Sequence, residues 1–122
     1  KTFAALGLAF KPDTDDVREA PALKIIQRLI DQGAKVQVYD PMATANAKKI
    51  LGDKVTYCSD VYTALEGADA LLLLTERNEF KELDWAKVKA SMKQLVIVDG
   101  RNIYDAEKMK ELGFTYQGVG KQ

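Results

Sequence analysis

Two cations lie where a strand pattern gives way to a loop: Lys11, in GLAFKPDTDDVREAP (residues 7 to 21), and Arg101, in DGRN (residues 99 to 102). An ammonium meets a phosphate as a point charge and a guanidinium meets it as a planar fork of donors, so the two together suit a diphosphate-sized anion. The rest of the chain narrows the chemistry. It has no histidine, the usual general base near neutral pH, and one cysteine, Cys58, which cannot form an internal disulfide. Cys58 ends a short strand pattern with no basic neighbour in sequence, the setting of a structural thiol rather than a nucleophile.

The first loop stands where a dinucleotide-binding fold keeps its G-x-G-x-x-G turn, yet in that register it reads Gly7, Ala9 and Pro12. One glycine of three cannot cradle a pyrophosphate on backbone N–H groups, and Pro12 has no N–H to offer, so NAD is not expected to bind by this loop in the usual way. Lys11 would hold a phosphate without such a cradle; its other reading is a solvated surface lysine. Arg18 lies among Asp13, Asp15, Asp16 and Glu19, and reads either as a guanidinium fixed for phosphate or as an ordinary ion pair. Those carboxylates lack EF-hand spacing and a turn glycine, so no metal is expected, and Asp16-x-x-Glu19 has the spacing of a helix capping box. Asp40 occupies the place of a ribose-binding acid, but without the glycine loop it reads as a turn residue before Pro41. Gly100 permits a sharp turn at a strand end, which would send Arg101 into the crevice that Lys11 faces.

The elements that must position these residues follow from periodicity. Thr2 to Ala9 is apolar without alternation, as in a parallel strand covered on both faces. Pro21 to Gln32 repeats Ala22, Leu23, Ile26, Leu29 and Ile30 at helical spacing, with Pro21 suited to the first turn and Gly33 to the C-terminal cap. AKVQVYDP (34 to 41) alternates as a strand, and an Ala-rich helix runs from about Ala43 to Leu51. KVTYC (54 to 58), ALLLLT (70 to 75) and LVIVD (95 to 99) are further strands. Ser59 or Asp60 caps a brief helix to Leu65, Leu83 to Met92 is a helix after a polar stretch, Asp105 caps a helix to Leu112, and FTYQGVG closes as an edge strand.

Strands alternating with helices predict an α/β fold, a Rossmann-like doubly wound, mostly parallel sheet of about six strands with helices on both faces. In such sheets ligands sit beyond the carboxyl ends of the strands, which selects the loops at 10 to 19, at Asp40, at 75 to 78 and at 99 to 102. The 122 residues, 47% hydrophobic, suit a single domain. Eighteen basic and eighteen acidic side chains cancel, so no global field recruits nucleic acid or an anionic membrane. No run is long enough to span a bilayer and no signal-type segment is present, so the chain reads as cytoplasmic. It starts on Lys1 and is in strand pattern by Thr2, as expected of a domain cut from a longer protein.

Taken together, GLAFKPDTDDVREAP, VYDP (38 to 41), EGADALLLLTE (66 to 76) and VDGRNIYD (98 to 105) resemble the C-terminal, nucleotide-sugar-binding domain of the UDP-glucose/GDP-mannose 6-dehydrogenases, across almost the entire chain. KPDTDD is more similar to the UDP-glucose enzymes than to those for GDP-mannose or UDP-N-acetylmannosamine. The resemblance implies an enzyme with an N-terminal NAD-binding domain, a central helical dimerisation region and this second Rossmann-like domain. Such enzymes oxidise the sugar C6 alcohol to a carboxylate in two NAD-dependent steps through a cysteine thiohemiacetal and thioester. It implies UDP-glucose contacts at Phe10, Lys11 and Arg101, and a contact to NAD at Arg18. The catalytic cysteine and the NAD glycine loop would lie upstream of Lys1, because Cys58 does not match the nucleophile's motif; the chain alone would then be inert. Ala20 stands where many relatives place a serine, at the loss of a helix-capping oxygen. A dehydrogenase for another nucleotide sugar, or a free-standing nucleotide-binding module without catalysis, are the alternatives.

Overall fold

The computed structural model describes residues 1–8 and 21–118. Phe10, Lys11, Arg18 and Ala20 lie outside the described residues. Strand β1 (Thr2–Leu6) pairs in parallel with β2 (Lys35–Tyr39) on one side and β4 (Ala70–Leu73) on the other. β3 (Thr56–Tyr57) adds beyond β2, and β5 (Val96–Asp99) and β6 (Thr115–Gly118) add beyond β4. The six-stranded sheet has the order β3-β2-β1-β4-β5-β6, and every pair is parallel. The expected fold class is therefore present, with the chain reversing its direction of winding between β1 and β4. That point is where a doubly wound sheet opens a crevice at its carboxyl edge.

Side chains alternate across each strand and divide the core in two. Ala5 of β1 faces Leu23 and Ile26 of α1 (Pro21–Asp31) and Ala47 and Leu51 of α2 (Thr44–Leu51). Ala4 and Leu6 face the other layer, built on α3 (Val61–Leu65), α4 (Asn78–Lys81), α5 (Trp85–Ser91) and α6 (Ala106–Glu111). β4 is buried throughout, which is why its sequence is apolar without alternation.

The ends of these elements are set by local chemistry. Gly33, at φ 86°, donates to Ile30 O at 2.9 Å while Ala34 N–H donates to Leu29 O at 3.0 Å, the paired bonds of a Schellman close after α1. Asp60, rather than Ser59, caps α3 by accepting from Thr63 N–H at 2.9 Å, and Asp105 caps α6 by accepting from the N–H groups of Glu107 and Lys108. The helix expected over Leu83 to Met92 is shorter, Trp85–Ser91, because Asp84 accepts from Lys87 N–H and fixes its start. The polar stretch before it holds the four-residue helix α4, which buries Phe80 completely.

Candidate functional site

The carboxyl ends of four strands are tied together, each by a different device. Asp40, 3% exposed at the end of β2, accepts from Leu8 N–H through Oδ2 at 2.8 Å, and from Met42 and Ala43 N–H through Oδ1, each at 2.8 Å. It thus joins the exit of β1 to the entry of α2. Gly7, at φ 97°, donates to Tyr39 O at 2.9 Å and passes so close to Thr75 that a Cβ built on it would lie 2.4 Å from the threonine Cβ. The backbone of the first loop therefore leaves the sheet against the end of β4, at the point of strand reversal. Gly100 completes the row by donating to Leu73 O at 2.8 Å.

Gly100 differs from expectation in its reason. Its φ is not positive; what excludes a side chain is the Leu73 carbonyl, 2.8 Å from where a Cβ would sit. The left-handed residue of this turn is Asn102, at φ 55°, a conformation that asparagine tolerates better than most residues. Arg101 lies between them and is exposed, at the carboxyl end of β5 as the sequence predicts.

Beneath Arg101 lies Asp99, fully buried. Its Oδ1 accepts from Arg101 N–H at 3.1 Å, and its Oδ2 accepts from Tyr104 N–H at 2.9 Å and from Tyr116 Oη at 2.8 Å. Tyr104 in turn donates its hydroxyl to Phe80 O at 2.6 Å, and its ring stacks edge-on against Trp85 at 5.1 Å. Burial, followed by the Asp99 carboxylate, raises both phenols well above the ordinary tyrosine value, so they remain donors throughout the physiological range. Sequence reasoning missed Tyr116, which it placed only on an edge strand.

On the other rim, Tyr39 Oη donates to Glu79 Oε2 at 3.1 Å, and Arg77 places a guanidinium nitrogen 3.5 Å from the Met42 sulfur and its Nε 3.8 Å from Glu79 Oε1. Burial and then the Glu79 charge push the Tyr39 phenol up to about 12. Cys58 follows β3 at the same carboxyl edge, its N–H donating to Val38 O at 2.8 Å, but lies four strands across the sheet from β5. It packs against the α3 layer, with its thiol raised by burial and then by Asp60 and Glu66. A thiol kept protonated fits the structural role expected of it. Among the described residues no group of three or more His, Cys, Asp or Glu converges as a metal site, and no helix is long and apolar enough to cross a membrane.

Asp40 also tests whether a dinucleotide fits this crevice. Its two oxygens already receive three backbone N–H donors, so it does not fit as the acceptor of a ribose diol. Among the described residues the carboxyl edge of the sheet carries an exposed arginine, Arg101, on the turn after β5, a cation open to an anion from solvent.

Residues 4–106 match the model of the UDP-glucose/GDP-mannose dehydrogenase family, UDP binding domain. The chain belongs to this family. It is similar, at 50% identity over 121 residues, to the UDP-glucose 6-dehydrogenase TuaD of Bacillus subtilis, covering 99% of this chain and 26% of that protein. It superposes with a TM-score of 0.83 and 36% identity on a UDP-glucose dehydrogenase from Pyrobaculum islandicum, over 100% of this chain and 26% of that one. A UDP-D-ManNAc dehydrogenase from Pyrococcus horikoshii gives a TM-score of 0.76 and 34% identity, over 97% of this chain and 25% of that one. The chain spans about a quarter of the length of the curated relatives it matches. Its residues thus form the UDP-binding domain of a dehydrogenase family.

Proposed function

We propose that residues 1–122 form the single UDP-sugar-binding domain, in C-terminal position, of a cytoplasmic, homodimeric, NAD-dependent UDP-glucose 6-dehydrogenase. The full-length enzyme oxidises UDP-glucose to UDP-glucuronate in two NAD-dependent steps. This domain contributes substrate contacts from Phe10, Lys11 and Arg101, while Arg18 reaches toward an NAD held mainly by another domain of the same chain. The observation that carries the reading is Arg101, exposed on a turn at the carboxyl end of β5 and beside the β1/β4 reversal, in a chain half identical to a UDP-glucose 6-dehydrogenase. The engagement of Asp40 supports placing NAD elsewhere, and Cys58, its thiol raised by burial and two carboxylates and four strands across the sheet from β5, supports placing the nucleophile elsewhere.

In this division of labour the domain binds and orients, and does no bond-making itself. Side-chain cations neutralise the diphosphate, so three glycines are not needed in the first loop. The test is NADH formation with UDP-glucose, GDP-mannose and UDP-N-acetylmannosamine in parallel. The full-length enzyme should prefer UDP-glucose, and the isolated chain should produce no NADH. Turnover by the isolated chain, or a preference for either other sugar nucleotide, overturns the assignment.

A further inference from the structure

We propose that Asp99 and Tyr116 are positioning residues that hold Arg101 ready for the substrate diphosphate, a role that rests on the reading of Arg101 as a substrate contact. The turn between β5 and α6 closes around one carboxylate. Its first part, at Arg101 N–H, and its last, at Tyr104 N–H, both donate to the fully buried Asp99. Tyr116 supplies a side-chain donor from β6 to the same oxygen that Tyr104 uses, and lies 3.2 Å from Tyr104 O as well. Outward of this anchor the turn carries a left-handed asparagine, Asn102, a conformation that persists when the surroundings over-determine it. Gly100, pressed on the Leu73 carbonyl, leaves no room for the turn to shift toward β4. The Arg101 side chain therefore starts from a backbone fixed on one side by the sheet and on the other by a buried anion. A flexible arginine gains from this because less freedom is lost when its fork closes on a ligand.

Tyr116→Phe keeps the ring and deletes the one hydroxyl that reaches Asp99 among the described residues. In the full-length enzyme it should raise the KM for UDP-glucose about three- to tenfold, part of what a hydrogen bond to a charged group is worth, with a much smaller change in kcat. Asp99→Asn, which turns one acceptor into a donor facing N–H groups, should act in the same direction and more strongly. The deciding readout is a double-mutant cycle: in an Arg101→Ala background the KM effect of Tyr116→Phe should vanish. A merely structural hydroxyl would lower the melting temperature equally in both backgrounds and leave the cycle additive. A Tyr116→Phe enzyme with unchanged KM, or an additive cycle, overturns the positioning role while the UDP-sugar reading stands. If Arg101→Ala itself leaves KM and kcat unaltered, the substrate contact and the positioning role fall together.

Discussion

Gly7 rests against Thr75 with no space between them for a methyl group: the Cβ it lacks would fall 2.4 Å from the threonine Cβ and 2.8 Å from its backbone nitrogen. Gly7→Ala therefore meets both a left-handed φ and an immovable neighbour. Gly33 is a control, at φ 86° with nothing within 4 Å of an added Cβ. Gly33→Ala should cost about 1 kcal/mol, the price of the conformation alone, whereas Gly7→Ala should exceed that by about 1–3 kcal/mol or prevent folding. Urea unfolding of the two variants side by side checks this, and equal costs would mean that β1 and β4 are not in close approach at the reversal.

Asp40 is expected to be a structural keystone rather than a ligand acceptor. Asp40→Asn retains one acceptor oxygen and turns an amide NH₂ toward a backbone N–H, so about 1–3 kcal/mol of stability should be lost. Asp40→Ala strands Leu8, Met42 and Ala43 together and should lose more. Calorimetric melting measures both. A stable Asp40→Ala chain would contradict the three-donor geometry.

Tyr39 sets a dependence on alkaline pH. Its phenol rises from an ordinary 10.0 to about 12 in the folded chain, through burial and then through Glu79, so folding favours the protonated form. The stabilisation is complete below pH 10 and is lost as pH climbs from 10 toward 12. Unfolding free energy should decline across that window in the native chain, and decline less steeply in Tyr39→Phe. The opposite order of slopes would show that the phenol is not held protonated.

Arg101 and Lys11 are predicted to act on the ligand and not on the fold. In the full-length enzyme each alanine variant should lose about ten- to hundredfold in kcat/KM, as expected for a charge-assisted contact of about 1.5–3 kcal/mol. Arg101→Lys should restore only part of the loss, since an ammonium cannot make two parallel hydrogen bonds. The melting temperature without ligand should barely move, because Arg101 is exposed. Normal turnover in both alanine variants would return Lys11 to the status of a solvated surface lysine.

Much of this fold is written in local pattern. The unalternated runs at β1 and β4, the helical spacing of α1 with Gly33 behind it, and the capping aspartates Asp60 and Asp105 each report their element within a few residues. α4 escapes notice because four residues cannot display a helical period, although a lone Phe80 in a polar stretch hints at burial. Gly100 is legible as a glycine position, but its reason is a carbonyl on another strand. The Asp99 and Tyr116 contact joins residues on two strands, and only the register of β5 with β6 brings them together. The position of Arg101 just after a strand was legible from the order of elements, since the topology and not the side chain decides which loops share the carboxyl edge of the sheet.

The central claim is that UDP binds at the carboxyl ends of β1, β4 and β5, and amide NMR of the isolated chain titrated with UDP tests it most directly. The account predicts saturable shifts gathered at Gly7, Thr75, Gly100 and Arg101. Affinity should be high micromolar or weaker, because the walls supplied by the rest of the enzyme are absent. Shifts gathered instead around Lys1, Gln32 and Gly33 at the opposite edge of the sheet, no saturable response to UDP, or nanomolar affinity from this chain alone would contradict it.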